Sequence, residues 1–88
     1  MPGFHRRRNE YAITLLAANI RRFRQNKKIT IQELAFLLET DYSQVSRMER
    51  GLVNFSVSLI FDLAKVLEIH PAELMEGTDS NYPDSTHK

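Results

Sequence analysis

Residues 30–51, TIQELAFLLETDYSQVSRMERG, hold two helix starts close together. Thr30 precedes Glu33 and Asp41 precedes Gln44, three apart in each case. At that spacing the first side chain accepts from amides of the opening turn while the second reaches back to the cap. Such partners are needed because the first amides of any helix have no intrahelical acceptor. Only Glu39 and Thr40 separate the apolar end of the first segment from the second cap, which leaves room for a tight turn and nothing more. The stretch reads as two short helices joined by that turn.

Working outward, Asn9 caps a first helix that runs to about Gln25, with Leu16, Ile20 and Phe23 at helical spacing. Asn26, Lys27 and Lys28 close it. At three later starts an apolar residue precedes the cap and another stands at the fourth helical position: Ile29 with Leu34, Phe55 with Ile60 and Ile69 with Leu74. These are hydrophobic staples, and Thr40 with Val45 is a weaker version. A fourth helix is expected to be capped by Ser56 and to end near Glu68. A fifth has Pro71 at its first position, where a missing N–H costs nothing, and reaches about Met75. No segment alternates as a strand would. The expected fold is all-α, a compact five-helix domain over residues 9–76. Its core is drawn from Leu16, Ile20, Phe23, Leu34, Ala35, Leu38, Val45, Met48, Ile60, Leu63, Ala64 and Leu67. Residues 1–8 read as a flexible basic arm with His5, Arg6, Arg7 and Arg8, and residues 77–88 as a disordered tail.

Eighty-eight residues suit one small domain without a deep cleft. There is no cysteine, which removes disulfides and thiolate metal sites. No apolar run approaches the roughly 20 residues that span a bilayer, and no apolar segment follows the N-terminal arginines, so no membrane role and a cytoplasmic location are expected. Charge is graded along the chain. Residues 1–40 carry eight Lys/Arg against three acids, residues 41–65 balance, and residues 66–88 carry one Lys against five acids. A basic front and an acidic back suit one face turned to a polyanion. His5, His70 and His87 have no metal-ligand spacing, and no nucleophile and base stand together, so neither a metal nor a cofactor nor an enzyme activity is expected.

On a helical wheel begun at Tyr42, with about 100° per residue, Val45 and Met48 set the inward side, and Glu49 falls beside them. The opposite arc holds Tyr42, Ser43, Ser46, Arg47 and Arg50, all hydrogen-bond donors and none acidic. That is the composition of a helix that enters a major groove: arginine for guanine, hydroxyls for base edges or phosphates, and no carboxylate toward the phosphate wall. An inward Glu49 calls for a buried cation, and Arg24 of the first helix is the candidate.

Taken together, Thr30-Ile31-Gln32-Glu33-Leu34-Ala35, Val45-Ser46-Arg47-Met48-Glu49-Arg50-Gly51, Asn54 and Leu63-Ala64-Lys65-Val66-Leu67 resemble the phage-repressor and Cro-like helix-turn-helix family of transcriptional regulators. The resemblance implies a repressor-like five-helix fold and a sequence-specific regulator that binds double-stranded DNA. It further implies base contacts from Tyr42, Ser43 and Arg47, backbone or secondary contacts from Arg24, Gln32, Gln44, Ser46, Arg50 and Asn54, and an Arg24–Glu49 ion pair. This chain departs from the family at Ile31, where a phosphate-contacting Gln is common, at Glu39, where the turn usually has Gly, and at Phe55, where Pro is common. Glu39 is thereby expected to adopt a left-handed conformation at about 1 kcal/mol or more.

The fourth helix is apolar over an arc of roughly 220°, well beyond the stripe of about 100° that packing needs. The excess at Leu59, Phe61 and Val66, with Leu74 and Met75, is expected to form a two-fold interface and make the protein a homodimer. The alternative is a protein-interaction module, such as an antitoxin or adaptor, that holds a different protein on the same surface.

Overall fold

The computed structural model describes residues 8–77. Five helices follow one another: α1 (Glu10–Asn26), α2 (Ile31–Leu37), α3 (Tyr42–Glu49), α4 (Val57–Leu67) and α5 (Pro71–Leu74), with no strand among the described residues. Every start is capped by a side chain. Asn9 accepts from Ala12 N, Asp41 from Gln44 N, Ser56 from Leu59 N and His70 from Ala72 N. Thr30 forms the full reciprocal box with Glu33, at 3.0 and 2.8 Å. His70 and Glu73 form a second box at the head of α5, which the sequence pattern had not suggested. Residues 1–7 of the basic arm and the tail from residue 78 lie outside the described residues.

The helix ends share one device. After α1, α2, α3 and α4 the chain turns left-handed at Lys28, Glu39, Gly51 and Glu68, with φ of 61°, 59°, 73° and 61°. Each time the next amide returns to a carbonyl five residues back: Ile29 to Arg24, Thr40 to Ala35, Leu52 to Arg47 and Ile69 to Ala64. With the amide of each left-handed residue bonded to the carbonyl three residues back, this makes the double bond of a Schellman motif, which satisfies carbonyls that would otherwise be orphaned. Glycine normally occupies the left-handed position because a Cβ there crowds the following carbonyl. Here only one of the four is Gly. Glu39 is exposed and makes no side-chain bond among the described residues. Glu39→Gly is therefore expected to raise stability by about 0.5–1 kcal/mol, because relief of strain outweighs the entropy glycine adds to the unfolded chain. Urea denaturation with an unchanged m-value would measure it, and a loss of stability would show that Glu39 carries no strain.

Lys27 Nζ meets Glu68 at 2.6 Å, joining the end of α1 to the end of α4. That hydrogen bond and the ammonium charge hold the Glu68 carboxyl below its ordinary value. Its contribution is present at neutral pH and is lost as the pH falls through the lowered value; on an exposed pair it is small.

The core runs through all five helices, with Ile20, Leu34, Ala35, Val45, Leu63 and Leu74 at or near zero exposure. α2 and α1 both pack on α3, and α4 packs on α5. Phe23 and Leu38, expected inside, stand half-buried at the margin. Ile13, Ala17 and Asn19 are buried as well, because α1 touches α3, α4 and α5 and so hides more than one stripe. The staple residues Ile29, Phe55 and Ile69 lie against the core, and so does Ile31. Ile31 thus buries part of its side chain at the position where a polar residue would face outward.

Leu74 departs from expectation most clearly. It is 0 % exposed and belongs to the core, so it has no place in an outward interface. The reason is α5 itself: one turn long and pressed onto α4, it faces Leu74 inward and leaves Met75 outside at 49 %.

Candidate nucleic-acid interface

α3 is held from beneath by Val45 and Met48, both buried. Its outer side exposes Tyr42, Ser43, Gln44, Arg47 and Arg50, with Ser46 half-buried among them. The arc is free of acid over the whole helix. Asp41 stands just before it and is occupied as the cap, accepting from Gln44 N at 2.9 Å. Arg50 Nε donates to Ser46 O at 3.3 Å, while Arg47 has a single long approach, 3.5 Å, to Leu52 O. At that distance a hydrogen bond contributes little, so Arg47 is available to a ligand.

Orientation of this face depends on Arg24. Its Nε donates to Glu49 Oε2 at 2.6 Å and its Nη2 to Oε1 at 3.1 Å, a two-pronged pair that ties α1 to the end of α3. The third prong, Nη1, donates to Ile29 O at 2.9 Å and fixes the loop before α2. The side chains are 11 % and 6 % exposed. The hydrogen bond and charge of Glu49 raise the Arg24 pKa against the opposing effect of burial, so the guanidinium stays charged throughout. The resemblance also gave Arg24 a secondary DNA contact. The geometry gives Arg24 a positioning role: it is largely buried, each of its nitrogens donates within the domain, and it holds α3 against α1.

Among the other expected contacts, Gln32 is exposed near the start of α2, and Asn54 is exposed in the loop between α3 and α4. Asn54 lies at the rim of an apolar groove of about 650 Å³ that includes Leu15, Phe55, Ile60 and Met75. On α4, Phe61 is 55 % exposed, while Leu59 and Val66 are half-buried against the core. Val57, not foreseen as part of this surface, is 72 % exposed beside them. The sequence reading also missed Asn19, whose Nδ2 donates to Leu74 O at 2.7 Å and Glu76 O at 3.2 Å and so clamps the end of α5 onto α1. Its position one turn from Leu16 and Phe23 was the signal that could have marked it as inward. Arg8 does not stand free: it pairs with Glu10 and donates to Gly51 O at 3.1 Å.

A family model described as Helix-turn-helix matches residues 20–74, more than half of the chain. The chain belongs to the Cro-like helix-turn-helix family of transcriptional regulators. Among solved structures, this helix-turn-helix protein is similar to a hypothetical transcription factor, NHTF, from Neisseria, at 33 % identity and TM-score 0.72 over 77 % of this chain and 79 % of that one. It is similar also to the restriction-modification controller protein C.AhdI from Aeromonas hydrophila, at 37 % identity and TM-score 0.67 over 70 % and 94 % of the two chains. The clp gene regulator ClgR from Corynebacterium glutamicum matches at 28 % identity and TM-score 0.69, over 72 % and 82 %. No curated protein sequence matches the chain. The helix-turn-helix unit is thus that of a DNA-binding transcriptional regulator. No described helix is long and apolar enough to cross a membrane. Among the described residues no cluster of His, Cys, Asp or Glu has the makings of a metal site.

Proposed function

We propose that the protein is a sequence-specific regulator that places α3 in the major groove of double-stranded DNA. The observation that carries this reading is the acid-free, donor-rich arc of α3 on a helix locked by Val45, Met48 and the Arg24–Glu49 pair. Tyr42, Ser43 and Arg47 read base edges. Gln32, Gln44, Ser46, Arg50 and Asn54 hold the phosphates and sugars. Two copies join through Phe61, Met75 and Val57, with Leu59 and Val66 beneath, and set two recognition helices about 34 Å apart on a two-fold operator. The restriction-modification controller and gene regulator among its structural relatives suit a role of this kind.

Selection of bound duplexes from random DNA tests the reading as a whole. Two inverted half-sites one helical turn apart are expected, and a single asymmetric site would overturn the two-fold assembly. Within the selected site, Arg47→Ala is expected to cost about 1–3 kcal/mol, with little change on scrambled DNA, because a bidentate guanine contact is lost. Equal losses on both duplexes would reassign Arg47 to a phosphate.

A further inference from the structure

The apolar groove of about 650 Å³ lies among the first half of α1, the loop before α4, the start of α4 and the end of α5, with Leu15, Phe55, Ile60 and Met75 in its walls. No charged side chain is among the described residues that line it. A phosphate, a metal ion or an acidic peptide would therefore give up water there and find no partner. What the groove can hold is apolar area, with a polar edge where Asn54 stands.

The chain leaves α5 at the rim of this groove. Asn19 Nδ2 donates to Leu74 O at 2.7 Å and to Glu76 O at 3.2 Å, which fixes the backbone through the turn after α5. Gly77 follows and is itself part of the rim. A Cβ there would stand 2.8 Å from the Tyr11 hydroxyl and 4.0 Å from Leu15 Cδ2, so the backbone passes closer than a side chain would allow without displacing the phenol.

Residues 78–88, TDSNYPDSTHK, continue from that point and contain one large apolar side chain, Tyr82. It stands five residues beyond Gly77, a span of at most about 17 Å, which is enough to carry it back over the groove. Pro83 follows it and restricts it to extended conformations, so ordering this residue on a surface costs less entropy than ordering its neighbours. A tyrosine also suits the shape of the site, since the ring buries about 150–250 Å² while the hydroxyl keeps to a polar edge. The basic segment before α1 leaves in another direction: its junction, Arg8, is held by Glu10 and by Gly51 O at the end of α3.

We propose that the groove is the docking site of the chain's own residues 78–88, with the Tyr82 ring seated on Leu15, Phe55 and Ile60. The docked segment straps α5 to α1 and to the loop before α4. It stands apart from the docking of α3 on DNA, and it leaves Val57 and Phe61 of the proposed two-fold surface uncovered, because neither lines the groove.

NMR of the full chain tests this, in a sample that mixes labelled with unlabelled protein to separate contacts within a chain from contacts between chains. Nuclear Overhauser contacts from the Tyr82 ring to the methyl groups of Leu15 and Ile60 are expected within one chain. Thermal melting supplies the second measurement, and because Tyr82 lies beyond the five helices its variants still fold. Tyr82→Ser is expected to melt several degrees below wild type, and Tyr82→Phe, which keeps the ring, to melt as wild type does. Absence of the ring contacts, contacts from Phe4 in place of Tyr82, or a Tyr82→Ser variant that melts as wild type overturns the proposal. Contacts found only between chains overturn it too, and give the groove to a second copy.

Discussion

Glu49→Ala is expected to destabilise the protein by about 3 kcal/mol, at the lower end of the range for breaking a buried ion pair. Its consequence falls on Arg24, which is left 11 % exposed, charged and facing a void. A lysine or histidine in that position could shed its proton, but a guanidinium cannot do so at any accessible pH. The remaining course is for the side chain to swing toward solvent, which breaks its bond to Ile29 O and loosens the loop before α2. That escape route, open at the margin of the domain, keeps the loss from the upper end of the range. Urea denaturation of Glu49→Ala, Arg24→Ala and the double variant measures it. The double variant should lose much less than the sum, because once one charge is gone the other is the liability. Additive losses, or a single loss below about 1 kcal/mol, would mean that the pair is solvated and does not hold α3 in place.

Leu74→Ala is expected to cost about 2–5 kcal/mol, the range for removing a buried leucine side chain. The site has little freedom to collapse. Leu74 is wholly buried, and its carbonyl is held by Asn19 at 2.7 Å, so the backbone of α5 cannot move inward to fill the space. In a domain this small each kcal/mol lowers the melting temperature by about 4–8 °C. Thermal melting of dilute protein reads this directly. Phe61→Ser makes the contrast: Phe61 is 55 % exposed, and its replacement should leave that melting nearly unchanged while weakening self-association in sedimentation. The opposite pattern, with Leu74→Ala melting as wild type and failing to associate, would return Leu74 to the surface.

The elements that could be read from the sequence are those set by neighbours in the chain. The Thr30–Glu33 box, the Asp41 and Ser56 caps and Pro71 at its first helical position all depend on contacts within one turn. Nothing in a lysine or a glutamate announces a left-handed turn: Glu39 was expected to make one only because the resembling family usually has Gly there, and Lys28 and Glu68, with no such pointer, went unseen. They are held there by amide bonds of Ile29 and Ile69, which pack on the core and anchor the turn from beyond it. For the candidate site, the wheel of α3 separated inward from outward residues correctly because the helix is short and amphipathic on one side. Arg24 was legible as the partner of an inward Glu49, but not as a side chain that also holds the loop before α2, since the bond to Ile29 O depends on the path of that loop.

By itself, then, the sequence determined five helices, their caps, the turn between α2 and α3 and the face of α3 that looks outward, because each is governed by hydrogen bonds and side-chain directions spanning three or four residues. Only the tertiary structure decided that Leu74 faces in and Met75 out, that Asn19 clamps α5, and that Arg24 also holds the loop before α2. Those outcomes turn on how helices far apart in the chain lie across one another. Periodicity along a single helix says which side is apolar; packing decides which neighbour covers it and what is left uncovered.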